Sequence, residues 1–340
     1  MIDGNAIIHR AYHALPKNMS TSRGELTNAA YGFTTTLIKV LEDLKPEHIV
    51  CSFDLAGKTF RHEAYSEYKA TRVKSDQELY DQIPRVKEIV RAMNIPIYEK
   101  EGFEADDVIG TVVERLKNDK HIQIYVVSGD KDIYQLINGN VCVYSLRKGL
   151  SRLEIVDSEK IREEYNLDPH DFIDLKALAG DASDNIPGVP GIGPKTATDL
   201  IQKFDTLEKL YEKLQETRDN LQTNSKSEVS NNSAIEQFSN EMVEEIARVL
   251  EIKPRIVKLL LENKDQAFLS HKLATIHRDV PIDFNLADAK WGDYDKDKLK
   301  ALFEELGFRS LLARFSASEA RQGRESTEEQ KKKDEQLRLL

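Results

Sequence analysis

Apolar positions along the chain follow two alternating rhythms before about residue 160 and a single one after it. Three short runs rich in β-branched residues read as strands: HIVCSF ahead of Asp54, IQIYVVSG ahead of Asp130 and a bare MI ahead of Asp3. Between them lie segments with helical spacing, notably Leu26 to Leu44 and Ile83 to Met93. The stretch EGFEADDVIG opens another helix, with Val108, Ile109, Val112, Val113 and Leu116 on one face and an acidic first turn at the positive end of its dipole. Alternation of this kind predicts an α/β fold, a mostly parallel sheet with flanking helices. Ligands of such sheets bind outside the carboxyl ends of the strands, where Asp3, Asp54 and Asp130 would converge.

After Ser158 the strand signal fades into helices separated by Gly and Pro, NIPGVPGIGPKTATDLIQKF being the clearest element. The pattern divides the chain into an α/β core over 1–160, a helical unit over 161–279 and a C-terminal extension with a charged tail over 280–340. A polar stretch over about 216–240, including TNSKSEVSNNS, reads as a flexible insertion. Only Met1 and Ile2 precede Asp3, whereas a strand usually takes about five residues, so a short apolar stretch ahead of Met1 is expected in the natural gene product.

Composition narrows this picture. Of 340 residues, 40 % are apolar, enough for a substantial core. With no apolar run of about 18 residues and no basic-then-apolar leader, neither a membrane span nor a signal peptide is expected, which implies a cytoplasmic protein. Cys51 and Cys142 lie inside strand-like runs and suit buried thiols better than a disulfide. A net charge of −10 argues against a nucleic-acid partner, since phosphate binding depends on Lys and Arg. Locally the balance reverses: between Lys58 and Lys74 five basic residues face two acidic ones.

Nine acidic residues sit beside strand ends or helix starts: Asp3, Asp54, Glu104, Asp106, Asp107, Asp130, Asp132, Asp181 and Asp184. Any one of them alone reads as a helix cap or turn. As a set they place hard oxygen ligands on several loops with no clustered Cys or His, which favours Mg²⁺ or Mn²⁺ over zinc. Two such ions clamp the attacking and leaving oxygens of a phosphoryl displacement, and no Ser, Cys or His nucleophile is then required. A haloacid-dehalogenase-type phosphatase would instead want Asp-x-Asp at the first strand, and here the residues are Asp3, Gly4 and Asn5. In GVPGIGPKTATDL, Gly188, Gly191 and Gly193 keep side chains away from a turn entering a helix near Pro194. Backbone N–H groups and Lys195 can meet a phosphate there.

The stretches DGNAIIHRAYHAL, FDLAGKTFRHEAYSEYKATR, GFEADDVIGT, SGDKDIYQL, GDASDNIPGVPGIGPKTA and LSHKLATIHRDVP run in family order from Asp3 to about Phe315. Together they resemble the 5′ nucleases, specifically the N-terminal 5′→3′ exonuclease and flap endonuclease domain of bacterial DNA polymerase I. The resemblance implies a metal-dependent nuclease that cuts DNA and RNA primers at 5′ flaps, nicks and single-stranded 5′ ends, acting as a monomer away from membranes in a bacterial cytoplasm. It matches all nine carboxylates to metal ligands. It assigns an arch over about 58–90, with Tyr68, Lys69 and Arg72 at the scissile phosphate and neighbouring base, and Arg10 as a further phosphate contact. It makes Gly191, Gly193, Lys195 and Thr196 part of a helix-three-turn-helix duplex clamp, where backbone carbonyls also hold K⁺. A catalytically weak DNA-binding fragment of a polymerase and a PIN-like ribonuclease are the alternatives. The first would have lost carboxylates, and the second would lack the hairpin.

Overall fold

Six strands form one sheet: β1 (Ile2–Asp3), β2 (Cys51–Ser52), β3 (Ile97–Tyr98), β4 (Ile124–Ser128), β5 (Val141–Lys148) and β6 (Arg152–Val156). Their order is β3-β2-β1-β4-β5-β6, parallel from β3 through β5 with β6 antiparallel at the edge. The structure, a computed structural model, describes residues 1–73, 75–148, 152–224 and 238–314. Lys74, most of the TNSKSEVSNNS stretch and the charged tail lie outside the described residues.

Strand order explains where a site can form. The chain steps outward from β1 to β2 to β3, then crosses to β4 on the other side of β1, so Ile2 lies opposite both Cys51 and Val127. The reversal between β1 and β4 opens a crevice at their carboxyl ends. Asp3 ends β1, and Asp130 follows β4 by two residues. Short as it is, β1 is covered on both faces, as central parallel strands are. On one face Ile7, Ile8, Phe33, Leu37, Val86, Ile89 and Val90 are buried in one core. On the other, Ile109, Val113, Ile133, Tyr134 and Ile276 form a second.

Several expectations are refined. Leu299, Leu302, Phe303 and Phe308 belong to the first core, so the described chain beyond 280 completes the α/β unit rather than merely extending it. The expected arch does not stand off the core as a unit: Arg61 and Tyr68 within it are buried. Leu79, Val86, Ile89 and Val90 are fully buried, and Ile83–Ala92 is a core helix. Glu216 to Asn224, expected to begin a flexible insertion, continues the helix Leu207–Asn224. Neither β3 nor β6 was legible, because NIPIYEK is two residues of strand amid turns and RLEIV alternates charge with apolar side chains. Cys51 and Cys142 are free thiols, the first buried and the second half-buried, on strands three places apart. Among the described residues no helix is long and apolar enough to cross a membrane.

The helical unit packs Leu178, Ala197, Leu200, Leu210, Val257 and Leu260 into its own core. Between its helices Asp171–Ala179 and Pro194–Phe204 runs a closed loop, in which Asp181 and Ile186 exchange backbone hydrogen bonds of 2.9 and 2.8 Å. Gly180 (φ 75°) and Gly188 (φ 62°) cross at the neck of this loop, so near that a Cβ on Gly188 would overlap the Gly180 backbone. Gly188→Ala should therefore cost about 3 kcal/mol or more of stability, combining a left-handed backbone with an overpacked crossing. Gly193→Ala, where an added Cβ meets open space, should be near neutral in the same urea titration. Equal midpoints for the two variants would refute this account of the neck.

Candidate active site

Several of the acidic residues are placed by local hydrogen bonds. Asp3 caps the helix Gly4–Ala14, its Oδ1 accepting from the Ala6 N–H (3.0 Å), while its Oδ2 accepts from the Ser128 hydroxyl at the end of β4 (2.6 Å). Ser128 Oγ in turn accepts from the Asp130 N–H (3.0 Å), and Asp130 Oδ1 from the Asp132 N–H (2.9 Å). Asp54 accepts from the Ala105 N–H (2.7 Å) and from Asn5 Nδ2 (2.9 Å), tying β2 to the helix Ala105–Leu116. The cap reading and the site reading thus coexist: a carboxylate that caps with one oxygen presents the other.

Burial of this many carboxylates shifts their protonation. Burial, with repulsion from Asp54 and Asp130, lifts Asp3 to about 7 against its bonds to Ser128 and Ala6. Burial also raises Asp106 well above the carboxylate range, helped by Asp3, Asp130, Asp132 and Asp54, and lifts Asp132 to about 7 beside Asp130. On the Asp181–Asp184 loop the balance is opposite. Burial is outweighed there by Lys176, which holds Asp181 down to about 2, and by Lys69 and Arg72, which lower Asp184.

Protein cations stand between the acidic groups. Lys176 Nζ bridges Asp132 and Asp181. Lys69 donates to Glu104 Oε1 (2.7 Å) and lies 3.8 Å from Asp184, and Arg72 Nη2 reaches Asp184 Oδ1 (2.5 Å). Lys69 holds a left-handed backbone (φ 56°), with its N–H on the Asp184 carbonyl (2.8 Å), the kind of local strain that function tends to retain. Tyr68, expected to meet a base, is only 3 % exposed. Its ring packs with Ile186, Leu273 and Ala274, and its hydroxyl donates to Asp184 (3.0 Å) and Glu104 (3.2 Å), leaving no face to stack on. Arg10 lines a cavity of about 500 Å³ with Asp130, Asp132, Lys176 and Asp181, and its buried Nε has no hydrogen-bond partner.

Asp107 differs from the other eight. Arg61 grips both its oxygens (2.8 Å each), Oδ1 also accepts from the His277 N–H (2.8 Å), and Oδ2 from the Glu104 N–H (3.0 Å). Four donors fill the roughly four lone-pair positions of a carboxylate, leaving none for an ion. Arg61 and Lys176 went unread in the sequence. A lysine in the mostly apolar IDLKALA helix, beside Asp174, was the available signal for one; nothing in FRHEA singled out the other.

About Pro194 the second predicted element takes shape. The helix Pro194–Phe204 has no side-chain cap, Gly193 faces open space, Gly191 is left-handed (φ 87°), and Lys195 is exposed with Thr196 beside it. Uncapped N–H groups at a helix start form an anion site that suits a phosphodiester backbone.

Residues 1–166 match the family model described as 5′-3′ exonuclease, N-terminal resolvase-like domain, and residues 167–245 match 5′-3′ exonuclease, C-terminal SAM fold. The chain belongs to the 5′-3′ exonuclease family. Within it, DNA polymerase I of Bacillus caldotenax is 38 % identical over 317 residues, covering 93 % of this chain, and that of Bacillus subtilis is 38 % identical over 320 residues, covering 94 %. The chain spans about a third of the length of these relatives, 32 % in both cases. Among solved structures, T5 5′-exonuclease with bound zinc aligns at a TM-score of 0.52 and 20 % identity, over 90 % of this chain and 96 % of that one. The catalytic core of Rad2 in complex with DNA substrate aligns at 0.54 and 17 %, over 90 % and 87 %. These likenesses establish the 5′ nuclease fold, a mostly parallel sheet with flanking helices and a helical domain.

Two outcomes follow for this 5′-3′ exonuclease fold. Asp107→Asn strands the buried Arg61 charge and should cost about 3–5 kcal/mol in unfolding experiments. Asp130→Asn, at an exposed residue among like charges, should leave the EDTA-treated protein as stable as wild type or more so. Comparable losses in both would show that the Arg61 pair has no special place. As for pH, Asp3 and Asp132 keep protons up to about 7 when folded but release them near 4 when unfolded. Between those values the folded state binds more protons, so their contribution to stability is complete below about pH 4 and lost as pH rises through 7. The melting temperature in EDTA should fall across that window and Mg²⁺ should flatten the fall; a rise in EDTA would contradict the assignment.

Proposed function

We propose that this chain is a Mg²⁺- or Mn²⁺-dependent, structure-specific 5′→3′ exonuclease and flap endonuclease acting on DNA and RNA primers. The observation that carries this is the gathering of Asp3, Asp54, Glu104, Asp106, Asp130, Asp132, Asp181 and Asp184 around one crevice, with Asp3, Asp106 and Asp132 protonated more readily than free carboxyls. A crowd of hard oxygens this reluctant to ionise fits divalent cations, which would relieve the repulsion. When bound, such ions supply Lewis-acid stabilisation and a nucleophile from water for phosphodiester hydrolysis. Asp107 acts as an anchor that seats Glu104 through Arg61, not as a ligand.

The remaining roles divide by position. Lys69 and Arg72 sit against Glu104 and Asp184, so a phosphate entering the crevice meets cations able to stabilise the charge that develops as the bond breaks, with Arg10 behind it. Tyr68 holds Glu104 and Asp184 in place from beneath. Gly191, Gly193, Lys195 and Thr196 grip the duplex backbone without reading sequence, and carbonyls of the same turn offer a K⁺ site. The core over 1–160, with Asp181 and Asp184 contributed from the helical unit, carries the chemistry, the rest of the helical unit over 161–279 the duplex, and the monomer suffices for both. Products carry 5′-phosphate and 3′-hydroxyl ends.

A 5′-labelled flap incubated with and without Mg²⁺ tests the reading directly, and a flap left intact in Mg²⁺ and in Mn²⁺ would end it. In the same assay Lys69→Ala and Arg72→Ala should lower the single-turnover rate by on the order of a hundredfold and barely change duplex affinity. Lys195→Ala should weaken binding while sparing the rate at saturating enzyme. Variants that proved interchangeable in these two measurements would overturn the division.

A further inference from the structure

Away from the crevice, three helices of the helical unit bring a histidine and two carboxylates together. Asp174 comes from Asp171–Ala179, Glu208 from the first turn of Leu207–Asn224 and His271 from Lys264–Ala274. His271 Nε2 lies 3.3 Å from Asp174 Oδ1 and 3.7 Å from Glu208 Oε1, and one donor atom from each residue falls within 4.8 Å of the others. Asp174 is 5 % exposed, and the oxygen it turns into this cluster, Oδ1, has no hydrogen-bond partner. A buried carboxylate oxygen without a donor is costly and calls for a cation. His271 Nε2 stands at ion-pair distance from this oxygen, and its pairing with Asp174 holds the imidazole above its ordinary pKa.

We propose that Asp174, Glu208 and His271 form a structural site for a first-row transition cation of the zinc type, separate from the catalytic carboxylates. Ligand chemistry sets the class: an imidazole nitrogen among carboxylates favours zinc-like ions, whereas Mg²⁺ prefers oxygen alone. Geometry agrees with it. Ligands bound at about 2.1 Å in a tetrahedron stand about 3.4 Å apart, and the two histidine distances bracket that spacing. Glu208 is half exposed, so the fourth position opens to solvent and no rearrangement is needed for entry. An ion here would tie together the three helices whose packing sets the Asp181–Asp184 loop. Asp174 is two residues from Lys176 on one helix, and Ser270, beside His271, receives the Gly188 N–H at the neck of that loop (3.0 Å). The cation therefore acts as a positioning element for the second half of the acidic crevice.

The test uses the whole chain, stripped with EDTA, then given one equivalent of Zn²⁺ in a large excess of Mg²⁺ so that the all-oxygen sites are occupied by Mg²⁺. After gel filtration the wild type should retain one Zn²⁺ more per chain than His271→Ala, and Zn²⁺ should raise its melting temperature but not that of the variant. Glu208→Gln, at an exposed position, keeps the experiment sound if His271→Ala folds poorly. It should melt like wild type in EDTA and bind Zn²⁺ more weakly by at least the roughly tenfold that loss of even an outer-shell partner costs. Replacing Zn²⁺ with Co²⁺ should produce a visible absorption band that Glu208→Gln weakens. Zn²⁺ retention and melting shifts that are the same in wild type and Glu208→Gln would overturn the site, as would a wild type that retains none. None of these readouts depends on nuclease activity, so failure here leaves the flap assay to judge the proposed function independently.

Discussion

Mutual repulsion among buried carboxylates is the constraint around which this molecule is organised. A parallel sheet with its reversal between β1 and β4 brings strand ends into one crevice, and aspartates stand at those ends. Asp3, Asp54 and Asp130 are held locally by backbone N–H groups and side-chain donors, yet the set carries more negative charge than the crevice can hold. The fold responds in two ways. On the strand side, Asp3, Asp106 and Asp132 hold protons more tightly than usual. On the loop side, Lys176, Lys69 and Arg72 are inserted as counter-charges, so that Asp181 and Asp184 stay ionised.

The surrounding architecture keeps those charges from moving apart. Arg61 is the central fastener. Its guanidinium pairs with Asp107 and donates to the carbonyls of Leu273 and Thr275 (2.9 Å each), so it joins the basic segment, the acidic helix and the end of the helical unit. Buried ion pairs contribute little net stability, but losing one partner is costly, and that asymmetry makes such a pair a good fixer of position. The crossing of Gly180 and Gly188 plays the same part for the Asp181–Asp184 loop by steric means. Tyr68 adds a third fixture, spending its hydroxyl on Glu104 and Asp184 and its ring on the apolar cluster beneath.

What was legible in the chain is what depends on near neighbours. Strand runs ending in Asp, the apolar face of Ala105–Leu116 and the Gly-Pro turn before Pro194 follow from periodicity and local backbone preference, and all three appear where the pattern put them. Composition and spacing also marked the acidic set and the basic run, and the quoted motifs pointed to the family. The residues misjudged or missed were those whose partners lie far along the chain. Asp107 looks like its neighbours Glu104 and Asp106 until Arg61, 46 residues away, takes both its oxygens. Tyr68 reads as a contact to the scissile phosphate and neighbouring base until Ile186 and Leu273 cover it. The cluster of Asp174, Glu208 and His271 spans nearly a hundred residues and has no local signature.

By itself, then, the sequence determined the fold class and the family and pointed to a kind of chemistry, because hydrophobic period, turn residues and ligand hardness are properties of short segments. Only the tertiary structure decided which carboxylates remain open, which cations neutralise them and which residues of the basic segment are buried. Those outcomes depend on burial and on the single donor or acceptor that happens to lie within about 3 Å, and a hydrogen bond or ion pair weakens steeply beyond such distances. No pattern along the chain encodes a separation in space that small.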